Sequence, residues 1–467
     1  MNIKHLPFFL LAFFVNAEAF SQLTESEEEL IAPSLSLSPK LNYSIELNLK
    51  GVGSNTDDLP FWLYHNQRGR LSKDSNISTW ASGKTVTFLS RESYLIFGAG
   101  VLYQDGSSEG VEIDELYGHF QNTWMYATVG RKQRPVFYNG LSSSNENILW
   151  SLNARPMPGI QLGTSRPIFP FSEEGFGFEG SWNEYLMGND RYVEGTRLHH
   201  KNLRFVFQNG SWQVKAGIQH FVQWAGTSPR MGPQPDSFQD YLRIISGQAG
   251  GEGATEGDQL NGLGNTIGGY EFYLRKGFRD FEIQVFYNHL FEDGSGRRLG
   301  NTPDGRYGIF YDHNDKDRFI SSVMYEFYYT EHQSHTTSGV HKYDNYLNNG
   351  TYMSGWTYEG RTIGAPFFLE NENGVGIANN KFKAHHIGIG GQLSNFFNTF
   401  PYRLLMSFAR NDGRYNLRYR PKQNVFHGLF DVGILRTTID LNVQAGVELN
   451  NTASPKFGAG VHLVYKL

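Results

Sequence analysis

Residues Thr438–Leu449 read TIDLNVQAGVEL, and their period decides the fold. Ile439, Leu441, Val443, Ala445, Val447 and Leu449 fall on one side of an extended chain. Thr438, Asp440, Asn442, Gln444, Gly446 and Glu448 fall on the other, because successive side chains of a strand point to opposite faces. A run of about 12 residues is twice the usual globular strand and matches the ~9–11 that a tilted strand needs to cross a bilayer. The chain's last segment repeats the pattern, with Phe457, Ala459, Val461, Leu463, Tyr465 and Leu467 on one face. A final strand that ends on an apolar residue resembles the terminal signal read by the barrel assembly machinery. Weaker alternation runs through Trp212–Val222, Ile283–Phe291 and Phe319–Thr330.

The connections carry the argument further. From Leu203 onward the candidate strands are joined alternately by short and long links. The short ones are Asn209–Gly210, Lys276–Asp280, Asn314–Asp317, Asn398–Pro401 and Gly433–Arg436. The long ones are Ala225–Ile267, Glu292–Asp304, Glu331–Phe382 and Asn411–Asn424. Asn-Gly is a strong hairpin signal, and an antiparallel meander puts every second link at the same end. Short turns at one end and long loops at the other indicate an all-β, transmembrane, antiparallel up-and-down β-barrel. Counting gives roughly twelve strands after Gly175 and four to six before it, hence 16–18 with an even total. Residues 41–467 are then one barrel domain. Its last strand ends at the periplasm, which sets the long loops, 225–267 and 331–382, outside the cell. Leu59–Ser82 lacks alternation and is expected to form short helices, either periplasmic or inside the lumen.

The remaining chain sets the compartment. Lys4 and His5 precede the apolar run Leu6–Val15 and the small residues Ala17, Ala19 and Ser21, the three-part pattern of a secretory signal over 1–21. An acidic lead follows over 22–40. Cys is absent, which removes disulfides, thiolate metal sites and cysteine nucleophiles. A net charge of −5 with scattered Lys and Arg argues against nucleic acid. Aromatics at 15% against 39% hydrophobic residues suit a protein whose rings gather at a membrane interface.

Three stretches carry a resemblance. LPFWLYHNQRGRL (59–71), GRKQRPVFYNGLSSSNENILWSLNARPMPGIQLG (130–163) and YLNNGTYMSGWTYEGRTIGAPFF (346–368) together resemble the Wzi family of capsule assembly proteins. The resemblance extends from about Asn42 to Leu467, on the side of Bacteroidetes-type members. It implies a monomeric 18-stranded outer-membrane barrel, a helical portion near the N-terminus, and lectin-like attachment of capsular or extracellular polysaccharide, with no catalysis and no cofactor.

Sugar binding needs flat apolar faces and forked polar groups. In 346–368 the candidates are the rings of Tyr346, Tyr352, Trp356 and Tyr358, with Asn348, Asn349, Glu359 and Arg361 beside them. Arg can pair two-pronged with a carboxylate. The alternative is that these rings pack the loop over the barrel mouth. Arg155 and Arg166, each before a proline, are candidates for contact with an acidic polymer, or else pair inside the lumen with Asp440 or Glu448. Phe238, Tyr241, Leu242 and Ile245 recur at helical spacing, predicting a structural helix in the 225–267 loop. The histidines of HQSHT (332–336) and the pair His385–His386 lack the orienting carboxylate of a serine site and the spacing of a metal site. They are expected in exposed loops. A solute porin is the alternative function.

Overall fold

Eighteen strands form one closed sheet. The computed structural model describes residues 42–172, 174–255, 259, 262–336, 343–395 and 398–467; the expected signal and acidic lead lie outside them. The strands are β1 (Asn42–Ser54), β2 (Ile77–Phe88), β3 (Tyr94–Gln104), β4 (Gly110–Gln121), β5 (Met125–Arg131) and β6 (Gly159–Thr164). Next come β7 (Gly175–Leu186), β8 (Arg197–Asn209), β9 (Trp212–Trp224), β10 (Asn265–Gly277), β11 (Phe281–Asn288) and β12 (Gly305–His313). The last six are β13 (Ser322–Tyr329), β14 (Phe382–Ser394), β15 (Thr399–Arg414), β16 (Leu417–Arg436), β17 (Ile439–Asn450) and β18 (Ala453–Lys466). Each pairs antiparallel with the next, and β1 closes the ring on β18 with Lys50 opposite His462. Closure satisfies every strand edge, which a bilayer interior demands.

The deciding stretch behaves as its period requires. Val443, Ala445 and Leu449 face out, whereas Gln444 and Gly446 are buried inside. Outward apolar groups such as Phe97, Phe205, Phe408, Phe457 and Val461 stay exposed, as a lipid-facing band must be. Rings gather at the ends of this band. Phe278, Phe281 and Tyr311 stack in series near the turns, with centroids 4.6 and 5.3 Å apart. Tyr287 and Tyr307 stack at 4.6 Å near the loops.

Links at the two ends differ as expected, with two corrections. Asn411–Asn424 is not a loop: β15 and β16 continue past their neighbours and close at Arg414 opposite Leu417, with an irregularity after Asn411. Ile77–Ser82 opens β2 instead of forming a helix. Alternation is disguised there because the bulky Trp80 points inward while Thr79 is exposed. Helix α1 (Phe61–Tyr64) is a single turn lodged in the lumen. Phe61, Trp62 and Leu63 are buried, and the Trp62 indole donates to Ser407 Oγ at 3.2 Å. Gly446 and Gly458 make room for it, since a Cβ at either would meet Leu63 within about 3 Å.

Helix α2 (Phe238–Ser246) is present, capped by Ser237 and Asp240 and ended by Gly247 at φ +66°. Its packed face differs from the expected one. Tyr241 and Ile244 sit against Val222, Trp224 and Leu263, while Phe238 and Leu242 are exposed.

Candidate functional site

Much of the lumen is occupied by the chain itself. Residues 132–158 and 343–381, together with α1, fold inward and form one apolar core with inward strand residues. Buried charges tie this plug to the wall. Arg306 on β12 and Glu326 on β13 pair at 2.6 Å with both side chains fully buried. Glu326 also accepts from Ser142 Oγ and the Ser143 N–H of the plug, each at 2.7 Å. Arg306 donates to the Glu146 carbonyl at 2.8 Å. Burial alone would raise the Glu146 carboxyl, but Arg134 and Arg204 hold it below the usual range. Sequence reasoning missed this network, because its members are scattered single charges on strands whose inward face was read only as polar.

The ring-rich stretch is the centre of the plug. Tyr346 and Trp356 are fully buried, and Tyr352 and Tyr358 nearly so. The Trp356 indole donates to the Leu149 carbonyl at 2.7 Å and meets Phe221 edge-on. Tyr346 OH donates to Asp304 Oδ2 at 2.7 Å. Tyr352 OH donates to the Ala225 carbonyl at 3.2 Å, and Tyr358 OH accepts from Arg131 at 2.9 Å. The expectation that these rings offer free faces is therefore corrected: indole and phenol bury large area while their polar tips find partners. Asn349 uses its side-chain oxygen to accept the Thr351 and Tyr352 N–H groups, at 2.8 and 3.0 Å. Arg361 lies over the Tyr64 ring and donates to the Leu71 carbonyl.

Arg155, 6% exposed, pairs with Glu112 and with Glu359 at 3.2 Å. Its partners are thus neither Asp440, which holds Lys466, nor Glu448, which holds His427 and Lys456. Arg166 is exposed in the 165–174 turn, at the opposite end of the barrel. It joins no site with the others. His385 and His386 are strand residues, not loop residues. His386 is buried, 2.7 Å from Ser407 Oγ and bonded to the Leu141 carbonyl at 2.8 Å.

An exposed polar surface of another kind stands at the loop end. The β15–β16 hairpin projects with Arg414, Arg418, Arg420 and Lys422 around Tyr415 and Tyr419. Asp412 is almost fully buried and accepts Arg418 at 2.7 Å and Lys422 at 3.0 Å, which stiffens the hairpin. Tyr415 stacks with Tyr343 at 4.6 Å and with His335 at 5.0 Å. Lys381 and Arg418 approach the same ring at 4.2 and 4.8 Å. The signal was present in RNDGRYNLRYRPK (410–422), with five cations and one acid, but the segment read as an ordinary loop.

A family profile described as capsule assembly protein Wzi matches residues 52–387. The chain belongs to the Wzi family. It is an outer-membrane barrel, similar in structure to Wzi of Escherichia coli, which is described as an outer membrane protein involved in group 1 capsule assembly and a carbohydrate-binding β-barrel. The two are 12% identical over 90% of this chain and 83% of that one, with a TM-score of 0.58. OccAB4 of Acinetobacter baumannii and OccK5 of Pseudomonas aeruginosa are 9% and 8% identical, over 92% and 91% of this chain and 99% and 98% of theirs. Each has a TM-score of 0.48. A search of curated proteins finds no match.

In this Wzi-family barrel, two loop carboxyls respond to pH. Glu292 accepts the Leu347 N–H, and burial, with Asp344 and Asp293 nearby, pushes it up to about 8. Burial and the charges of Asp293 and Asp304 push Asp344 up to about 7, against a hydrogen bond from Ser334 at 2.7 Å. Both carboxyls hold protons in the docked loops at pH values where free carboxylates are ionised. The stability they contribute to docking is complete below the ordinary carboxylate range and is lost as pH rises through about 7 and 8. The Leu347 amide should therefore lose hydrogen-exchange protection between pH 6 and pH 9, beyond the change in intrinsic rate. Glu292→Gln should flatten most of that dependence; an unchanged profile would mean that the carboxylate is already ionised in the docked loop.

Proposed function

We propose that this protein attaches capsular or extracellular polysaccharide to the outer membrane, as a carbohydrate-binding barrel that performs no chemistry on the polymer. The match to the Wzi family over 52–387 carries the reading. The plugged lumen supports it, because solute passage would require moving a plug bonded through Ser142, Ser143 and Glu146 to the Arg306–Glu326 pair of the wall. The loop end of the barrel faces outside the cell in this reading. One chain closes its own ring, so a monomer inserted by the barrel assembly machinery is sufficient.

The projecting β15–β16 hairpin is the proposed polymer contact. Guanidinium groups pair with carboxylates in a forked geometry. Arg414→Gln with Arg420→Gln is the informative pair of changes, since Arg418 and Lys422 must remain to neutralise buried Asp412. Retention of an acidic polymer on cells should fall roughly 10-fold, about 1.4 kcal/mol, and the difference should shrink in high salt. Deleting the gene should release polymer into the medium at undiminished total synthesis. Lost synthesis instead of release would point away from attachment. A stable, large conductance of the purified protein in planar bilayers would favour a porin.

A further inference from the structure

On the turn side of helix α1 the filled lumen keeps a cavity of about 190 Å³. Lys50, Arg68, Arg70, Trp80, Arg403 and His462 line it, with small polar groups between them. The lining thus contains four cationic side chains and no carboxylate. Its position follows from the register. Leu63 of α1 packs over Gly446 and Gly458, while His462 and Arg403 lie nearer the turn-end termini of β18 and β15.

The cations are unequally satisfied. Arg70 is forked onto Asp114 at 2.6 and 3.2 Å and lies 4.5 Å above the Trp80 ring. Arg403 pairs with Asp431 at 3.1 Å, and the rest of that carboxylate is taken by the Asn442 and Gln444 amides at 3.0 and 2.9 Å. Lys50 is 2% exposed, yet its ammonium donates only to Gln67 Oε1, at 2.8 Å. An ammonium has three donors, and among the described residues no carboxylate lies within ion-pairing distance of this one. Arg68 reaches only the Arg134 carbonyl, at 3.0 Å. The side-chain oxygen of Asn66, also in the lining, is buried without a hydrogen-bond partner. Asp431 acts on Lys50, and Glu115, Asp114 and Glu46 act on Arg68, only through space. Buried cations without a contacting carboxylate are costly, and an entering anion would remove part of that cost. Of the lining cations Arg403 keeps 31% of its side-chain surface exposed.

We propose that this cavity binds one anionic sugar unit, a carboxylate or phosphate carried on a pyranose. Lys50 and Arg68 take the oxyanion, and the Asn66 oxygen accepts a hydroxyl. The volume fits, being room for roughly six waters at about 30 Å³ each, the scale of one pyranose. The site is separate from the hairpin at the loop end and does not depend on polymer attachment there.

The test is titration of the detergent-folded full chain, read by calorimetry and by tryptophan fluorescence. The probes are glucuronate, glucose 6-phosphate, glucose and inorganic phosphate. Both sugar acids should saturate the site, with glucose at least tenfold weaker. Lys50→Met and Arg68→Gln should each weaken sugar-acid binding at least tenfold while the folded form keeps its heat-modifiable mobility. If Lys50→Met does not fold, Arg68→Gln carries the test, since Arg68 lies in the 55–76 connection and not in the wall. Arg166→Gln, which removes an exposed charge at the turn end, should change nothing. Absent saturation, equal affinity for glucose, or unchanged affinity in the folded variants overturns the site. Inorganic phosphate binding as tightly as the sugar acids overturns the pyranose part. Cells that keep their polymer while the purified protein ignores sugar acids would refute this site and leave attachment standing.

Discussion

Arg306→Ala is expected to destabilise the folded barrel by about 3–5 kcal/mol, the range for removing one partner of a buried ion pair. Both side chains are fully buried and 2.6 Å apart, so Glu326 would be left charged and dry. Its remaining hydrogen bonds, from Ser142 and Ser143, are from neutral donors and cannot replace a cation. Arg306 also spreads its guanidinium 4.1 Å over Phe286, so truncation loses packing as well as charge. The readout is the urea concentration or temperature at which the fast-migrating folded band converts to the unfolded one. Replacing both residues by Met and Leu should recover part of the loss in the wall while leaving the Ser142–Ser143 segment untethered. An Arg306→Ala protein as stable as its parent would mean that water reaches the pair.

Trp356→Ala is expected to cost about 3–5 kcal/mol as well, by opening a cavity in the plug. The indole is fully buried, packs against Phe221, and leaves the Leu149 carbonyl without its donor when removed. The loss falls on a segment that fills the lumen, so a second effect should accompany it. Planar-bilayer recordings should show current bursts through the variant where the parent is closed. Polymer retention should decline only as far as stability does. Retention lost at unchanged stability, with a closed lumen, would mean that the ring meets sugar after all.

These outcomes divide along the line between what is local in the chain and what is not. Strand alternation is a property of neighbouring residues, and the bilayer imposes it strictly: an outward polar residue meets lipid and a strand edge left open meets no donor. That is why Thr438–Leu449 and the segregated links indicate a membrane barrel unaided, and why three separated motifs suffice for the family. Local signals fail where a strand carries its bulk inward, as at Trp80, or where polar strands outrun the membrane, as in β15 and β16.

The site was far less legible. Aromatic residues serve equally in a sugar platform and in a packed core, and the difference is whether other chain covers them. Tyr346, Tyr352, Trp356 and Tyr358 contact Asp304, Ala225, Leu149 with Phe221, and Arg131 respectively, residues 42 to 227 positions away. No pattern within the 346–368 stretch encodes that. By itself the sequence determined the barrel, because hydrophobic period and turn chemistry act over a few residues, and its three motifs carried the resemblance to the family. Only the tertiary structure decided that the long loop folds inward, that lone inward charges on neighbouring strands meet in pairs, and which cations lack a contacting carboxylate. Those depend on closure of the ring, which brings Lys50 beside His462 across more than four hundred residues.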